Sequence, residues 1–357
     1  MDKKRIGINY NASAGWIGGK YYLDSIINEL KKDSETEIVI LKKPFFMRCL
    51  GRICGRNSFL YKSIFKYINK NERLDIVFPA IRGDFSGKKD IYWIPDFQEN
   101  YYPEFFDNNE IIKRMTQQIS IAYSDDVLVL SSESAKNDFE RLFPKHTCQV
   151  YVLSFISSLA GKQIDFCKID ELKQKYNINQ PFFICSNQLW KHKNHIVVIK
   201  AIEELKRQEY ELLCLFTGQE EDYRNPNYPA QLKTLVEQMQ LQDNIKFLGF
   251  IPRKEQLTLM KESIAVIQPS LFEGWNTTIE DAKVLGKKIV ASNINVHKEQ
   301  LKTSDNLFNV NDYKALSKIL LSMTNKEYEI VDYEYEIQEQ TYAKVIKNLK
   351  KNIFCKN

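Results

Sequence analysis

The sequence predicts an α/β chain of two Rossmann-like domains, their parallel sheets facing across a cleft. Three observations carry that expectation. At 357 residues the chain exceeds the size at which one hydrophobic core stops growing, so two domains are the default. Short apolar runs that read as strands alternate with helical patterns throughout, as in parallel sheets covered on both faces. The alternation lapses between Ser154 and about Gln163 in small and polar residues, then resumes. These features set a first domain at 1–155, a hinge at 156–170, a second domain at 171–330 and a C-terminal helix at 331–357.

In chain order, Arg5–Asn9 is the first strand, followed by a glycine-rich loop from Ala14 to Gly19 and a helix to about Lys32. Strands are expected at Glu37–Leu41, Asp75–Pro79, Asp90–Ile94, Asp126–Leu130 and Gln149–Leu153. Helices fill the gaps near Ser58–Asn69, Asn109–Ala122 and Ser132–Leu142. After the hinge come strand Phe182–Cys185, helix Ile196–Lys206, strand Leu212–Thr217, helix Pro229–Gln238 and strand Ile245–Leu248. Helix Lys254–Lys261, strand Ile264–Gln268, helix Thr278–Leu285 and strand Lys288–Ala291 complete the series. The helix at Ile196 shows its inner face as Val198, Ile202 and Leu205, spaced i, i+4, i+7. A charged helical pattern runs from Tyr333 to Lys351. Strand order is not readable from this pattern.

Bulk properties exclude several classes. Hydrophobic content of 43% and charged content of 27% describe a soluble globular protein. No apolar run approaches the ~20 residues of a membrane span, and no signal-peptide core opens the chain, so a cytoplasmic location is expected. The scattered cysteines, without a CxxC, argue for reduced thiols. Net charge is only +5, yet Lys42, Lys43, Arg48, Arg52, Arg56, Lys62, Lys66 and Lys70 follow one another with no acid between them. Phe45, Phe46, Met47, Leu50, Ile53, Phe59 and Leu60 are interleaved. Residues 42–70 therefore fit either an anionic membrane surface or an ordinary surface helix and loop. Nucleic acid is not an expected partner, because the rest of the chain has no matching basic face or reader motif.

The chemistry is concentrated at strand ends of the second domain. An apolar run from Ile264 to Gln268 closes at Pro269. Glu273, Gly274, Trp275 and Asn276 then form a turn, and a helical pattern follows from Thr277 and Thr278 until Gly286 stops it. The free N–H groups and positive dipole end of a helix N-terminus suit a phosphate. Glu273, Glu280 and Asp281 would repel one, so sugar hydroxyls are their natural partners. A second cluster, from Ser186 to His195, puts Gln188, Lys191 and Lys193 where another helix begins. Ammonium groups there can neutralise a diphosphate leaving group; alone, the lysines would read as a solvated basic loop. A third turn, Gly249-Phe250-Ile251, lets the backbone approach a flat ring such as a base.

These motifs together resemble the retaining glycosyltransferases of the GT-B fold, the family-four or group 1 type, in a bacterial surface-polysaccharide subset. Aligning that family's Glu-rich turn on Gly286 matches its two acids to Glu273 and Asp281, eight residues apart. The resemblance implies that Glu273 contacts the donor sugar, Asp281 the ribose, and Lys193 the diphosphate. The family arginine that precedes this lysine corresponds to Gln188, a departure for which Lys191 could substitute. Gly249–Ile251 resembles the base-side loop, and Gly18-Gly19 the phosphate-side glycine loop of the first domain. The C-terminal helix of such a fold returns to the first domain. Capping leaves Glu280 and Asp281 open: with Thr277 as N-cap, Glu280 completes a capping box, whereas with Thr278 the roles exchange.

In the first domain, Trp93-Ile94-Pro95-Asp96-Phe97-Gln98 resembles a segment of the bacterial subset that faces the reacting sugar. Asp96 is the residue to test there, with either an acceptor-side role or a loop-capping one. Many relatives have a histidine close by where this chain has Glu99. No Asp-x-Asp and no ligand spacing calls for a metal, and no cofactor is expected beyond the nucleotide diphosphate sugar as substrate. The expected activity is retaining sugar transfer to a hydroxyl acceptor, a lipid-linked or surface glycan. Alternatives are a non-catalytic relative acting as a partner subunit, or an epimerase or phosphorylase on the same fold.

Overall fold

The computed structural model describes residues 3–10, 17–41, 73–82, 85–302, 305–324 and 330–355, with residues 49–50, 53 and 63–64 between them. The loop at Ala14–Trp16 and most of the expected helix Ser58–Asn69 and of the basic stretch 42–70 lie outside the described residues.

Two compact units emerge. The first comprises residues 1–96, 113–158 and 338–357, and the second 97–112 and 159–337. The chain passes between them after Asp96, Ile112, Ser158 and Ile337. A difference from the sequence reading is that residues 97–112, expected in the first domain, join the second unit. Packing against residues far along the chain decides their membership.

The first unit holds β1 (Lys4–Asn9), β2 (Thr36–Leu41), β3 (Ile76–Phe78), β4 (Lys89–Ile94), β5 (Val127–Leu130) and β6 (Gln149–Val152). They form one parallel sheet in the order β2-β1-β3-β4-β5-β6. Helices α1 (Ile17–Leu30), α2 (Asn108–Ala122, shared with the second unit) and α3 (Glu133–Leu142) alternate with the strands. Every residue of β5 is buried, whereas edge strand β6 is half-buried throughout, as expected when helices cover both faces of the sheet centre. Tyr22 of α1 stacks on Trp93 of β4 at 4.2 Å between ring centroids, and Trp93 Nε1 donates to Ser131 Oγ at 3.0 Å. Gly18 and Gly19, expected in a loop, lie in the first turn of α1.

The second unit carries α4 (Ile169–Lys175), β7 (Phe182–Ser186), α5 (His195–Arg207), β8 (Leu213–Thr217), α6 (Tyr228–Gln238), β9 (Ile245–Gly249) and α7 (Arg253–Glu262). It continues with β10 (Val266–Gln268), α8 (Thr277–Val284), β11 (Ile289–Ser292), α9 (Asn295–Leu301), β12 (Leu307–Phe308) and α10 (Tyr313–Thr324). Its sheet is also parallel, in the order β12-β11-β10-β7-β8-β9. Leu316 and Leu320 of α10 share a fully buried core with Val198 and Ile202 of α5. The final helix, α11 (Tyr335–Cys355), begins in the second unit and belongs to the first from Gln338. There Tyr342 OH lies 3.0 Å from Ser25 Oγ of α1, and both are buried.

Gly286 and Gly218 hold backbone positions that require glycine. Gly286, at φ 62°, ends α8 in the left-handed conformation that an L side chain resists. Gly218, at φ 146°, follows β8 so closely against the loop after β7 that an added Cβ would lie 2.2 Å from the Asn187 carbonyl oxygen. Gly218→Ala should therefore lower the unfolding free energy by about 2–4 kcal/mol, as strain and overlap act together. Urea titration of the purified variant reads this directly.

Lys287 is only 2% exposed and donates to the Ser263 carbonyl oxygen. Burial pushes its ammonium from 10.5 down to about 8. Between these values the unfolded chain holds a proton that the folded chain has released, so this group makes stability rise with pH across that window. Below it, the folded state carries a buried charge at a cost. Lys287→Met should thus be more stable than wild type by about 2 kcal/mol at pH 7, an advantage that shrinks as pH approaches 10.5. Unfolding of both proteins at pH 7 and pH 10 would check the sign.

Candidate active site

The strand order of the second unit places a topological switch point at β7 and β10. They are neighbours, yet the chain proceeds from β7 towards β8 and β9, and from β10 towards β11 and β12. Loops leaving adjacent strands in opposite directions open a crevice beyond their C-terminal ends, where α/β proteins bind ligands. The two sequence clusters singled out above directly follow β7 and β10.

After β7 the chain makes a short 3-10 turn, Lys191–Lys193, and enters α5 through Asn194 at φ 55° and ψ 40°. Asn is among the few residues that adopt this left-handed geometry readily. Its Nδ2 donates to the carbonyl oxygens of Pro269 at 3.2 Å and Val310 at 2.8 Å. The Leu271 N–H in turn donates to the His192 carbonyl oxygen at 2.8 Å. The loops after β7 and β10 are thus tied together by backbone.

Lys193 Nζ lies 2.6 Å from Glu273 Oε1, with both side chains largely buried. The same oxygen accepts from Ser270 Oγ at 2.6 Å and Asn276 Nδ2 at 3.1 Å. Three donors converge on one carboxylate oxygen and fix its direction, while Oε2 makes no hydrogen bond among the described residues. A group held this way can offer its second oxygen to a hydroxyl without rearranging.

Asn276 is the N-cap of α8: its Oδ1 accepts from the Ile279 N–H at 3.0 Å. This corrects the expectation that Thr277 or Thr278 caps the helix. Three cap-forming residues occur in succession, and Asn276 has the extended backbone that a cap requires. Thr278 Oγ1 donates instead to the Ser186 carbonyl oxygen at 2.9 Å. Glu280 then falls one position beyond the capping-box site, so its capping role is withdrawn. Its Oε1 receives Lys283 Nζ at 3.0 Å and Gln300 Nε2 at 2.9 Å, and its Oε2 receives Tyr335 OH at 3.2 Å. At 1% exposure it is an internal strut. Asp281 pairs with Arg253 Nη2 at 2.6 Å, near the entrance to α7.

Around this centre, Gln188 Nε2 donates to Gln219 Oε1 at 3.0 Å, and Lys191 Nζ sits 5.1 Å above the Phe105 ring. Gly249, at φ 66°, accepts from the Gly218 N–H at 2.9 Å. Beyond it, Phe250 is exposed and Ile251 is buried. Gly274 is buried and Trp275 half-buried. His195 and His297 are fully buried, and burial lowers their imidazoles to about 3 and about 4, so both are neutral near pH 7. Asp96, Gly18 and Gly19 belong to the first unit, where Asp96 lies 3.8 Å from Arg114 Nη1.

Two residues of this site escaped the sequence reading. Ser270 completes the donor set on Glu273. Gln300 accepts from the Asn276 N–H at 3.0 Å and donates to its carbonyl oxygen at 3.1 Å. Ser270 follows Pro269 directly in the sequence, but only the fold brings Gln300 of α9 to the turn.

Comparison with known proteins agrees with this architecture. The family model described as Glycosyl transferases group 1 matches residues 168–349. Sucrose-phosphate synthase from Thermosynechococcus elongatus superposes with a TM-score of 0.74 at 12% identity, covering 99% of this chain and all of the other. HepE from Anabaena, solved with UDP and glucose, gives 0.68 at 13% identity, covering 99% and 100% of the two chains. WaaG, a glycosyltransferase involved in lipopolysaccharide biosynthesis, gives 0.61 at 12% identity over 96% and 94%. These likenesses are of fold.

Proposed function

The chain belongs to the glycosyl transferases group 1, and on that premise we propose that it moves a sugar, with retention, from a nucleotide diphosphate sugar to a hydroxyl acceptor. The observation that carries the reading is the Lys193–Glu273 contact at the switch point of the second sheet. The carboxylate and ammonium sit side by side where the donor's sugar and diphosphate would adjoin. Glu273 Oε2 would orient a sugar hydroxyl. Lys193, Lys191 and the N-terminus of α8 would stabilise the charge that builds on the departing diphosphate, which itself helps to deprotonate the acceptor. Asp281 is the better candidate for the ribose by its match to the family's second acid; both acids are buried, and Glu280 has both oxygens engaged by protein donors. Exposed Phe250 and the left-handed Gly249 turn offer a flat edge to a base.

UDP as nucleotide is suggested by the complex of HepE with UDP and glucose. A lipid-linked or surface glycan acceptor is suggested by WaaG and by the basic stretch at residues 42–70. No helix among the described residues is long and apolar enough to cross a membrane. Our reading is of a cytoplasmic, metal-independent enzyme that meets its acceptor at the inner membrane face.

The test is nucleoside diphosphate release from a panel of nucleotide sugars, with and without isolated bacterial glycolipid, followed by NMR of the new anomeric centre. Acceptor-dependent release with retained configuration is expected. Release independent of acceptor, or inversion, would overturn the reading.

A further inference from the structure

We infer that Arg224 is a positioning residue for the leaving-group lysines, acting through a clasp that seats the Lys191–Lys193 turn. The inference rests on reading that turn as the diphosphate side of a donor site.

The clasp is built from a segment that the first half of the chain contributes to the second unit. Arg224 is nearly buried and pairs with Glu110 through both ends of its fork, Nη2 to Oε1 at 2.8 Å and Nε to Oε2 at 3.3 Å. Its guanidinium lies 4.1 Å from the Phe106 ring centroid and 5.5 Å from that of Trp190. The next ring along, Phe105, stacks on Tyr102 and lies under the Lys191 ammonium. Two consecutive phenylalanines therefore each seat one cation, and the ion pair with Glu110 holds the segment in place. A bidentate pair removed from water has geometric specificity that a surface pair lacks.

A second tie reaches the same turn. Asp222, 3% exposed, accepts from the Lys191 N–H at 3.0 Å through Oδ2, and from the Arg224 and Asn225 N–H groups at 3.0 and 3.1 Å through Oδ1. One carboxylate thus links the backbone of Arg224 to that of Lys191. Trp190 Nε1 donates to the Glu221 carbonyl oxygen at 2.9 Å and closes the bracket. If Arg224 loses its charge, Phe105 and Phe106 lose their anchor and the Lys191 ammonium loses its seat. The turn then presents its lysines over a range of positions.

The position of these lysines matters most when the diphosphate carries its full charge, as the free nucleoside diphosphate does. The test is calorimetric binding of UDP and GDP to wild type, Arg224→Gln, Lys191→Ala and the double variant. Wild type should bind one of them, and Arg224→Gln should weaken that binding about tenfold. On the Lys191→Ala background the same change should cost clearly less than tenfold, because residues acting through a shared group are not additive. Glu110→Gln, which breaks the pair from its more exposed side, should repeat the loss if Arg224→Gln fails to fold. Affinity unchanged within twofold, losses that multiply in the double variant, or no binding of either nucleotide to wild type would overturn the inference. A wild type that binds the nucleotide but transfers no sugar would refute the proposed function alone.

Discussion

Glu273→Gln should reduce turnover by about 10²–10³-fold while leaving the folded state intact. The substitution is nearly isosteric and keeps an oxygen for Ser270 Oγ and Asn276 Nδ2, so the turn after β10 retains its hydrogen bonds. It removes the negative charge 2.6 Å from Lys193 and replaces one carboxylate oxygen with a donor. A sugar hydroxyl that donated to Glu273 would now meet an N–H. Preorganised charge at a site of this kind accounts for factors of this order when one group is deleted. The check is kcat with saturating donor, beside a circular-dichroism melt. A melt within a few degrees of wild type and a collapsed kcat is the expected pair of results. Unchanged kcat would remove Glu273 from the reaction and favour a non-catalytic relative.

The largest stability effect is expected at Lys283. Its ammonium and the Glu280 carboxylate lie 3.0 Å apart, with side chains 2% and 1% exposed. A buried pair contributes little net stability, but deleting one partner strands the other charge in a medium that solvates it poorly. Lys283→Met leaves Glu280 with Gln300 and Tyr335 as donors and, among the described residues, no cation within reach of Oε1. A loss of about 3–5 kcal/mol in unfolding free energy is expected. The double variant Glu280→Gln/Lys283→Met should recover more than half of it, because the stranded charge is gone. Urea titrations of the single and double variants give both numbers. A single-variant loss under about 1 kcal/mol would mean that solvent reaches this pair.

The alternation of strands and helices was legible because central strands of a parallel sheet are buried on both faces. Phe182–Ser186 and Val127–Leu130 are unbroken apolar runs or close to it, and no other element tolerates them so briefly. Lys193 and Glu273 stood out because each follows such a run at a helix entrance, and the fold brings them to 2.6 Å. What could not be read was anything decided at long range. Residues 97–112 look like a loop of the first sheet until Arg224 and the Leu271–Phe272 backbone and ring surfaces are placed beside them. Glu280 and Asp281 are adjacent in sequence, and only the fold gives them separate partners, Gln300 and Tyr335 for one and Arg253 for the other. The cap at Asn276 was hidden among three equally suitable residues, and only backbone geometry distinguishes them. Helix α10 was readable and missed: Leu316, Leu320 and Met323 have the i, i+4, i+7 spacing of its buried face.

The interlaced membership of the two units sets the order in which the protein can be completed during synthesis. Glu110 leaves the ribosome 114 residues ahead of its partner Arg224, so Phe105 and Phe106 emerge long before the surface that covers them exists. The first unit waits longer still, because its segment from Gln338 follows the whole of the second unit. Neither unit can therefore finish while the other is unmade. A cut between Ser158 and Leu159 would not yield two independent proteins: one fragment would lack its closing helix and the other its clasp.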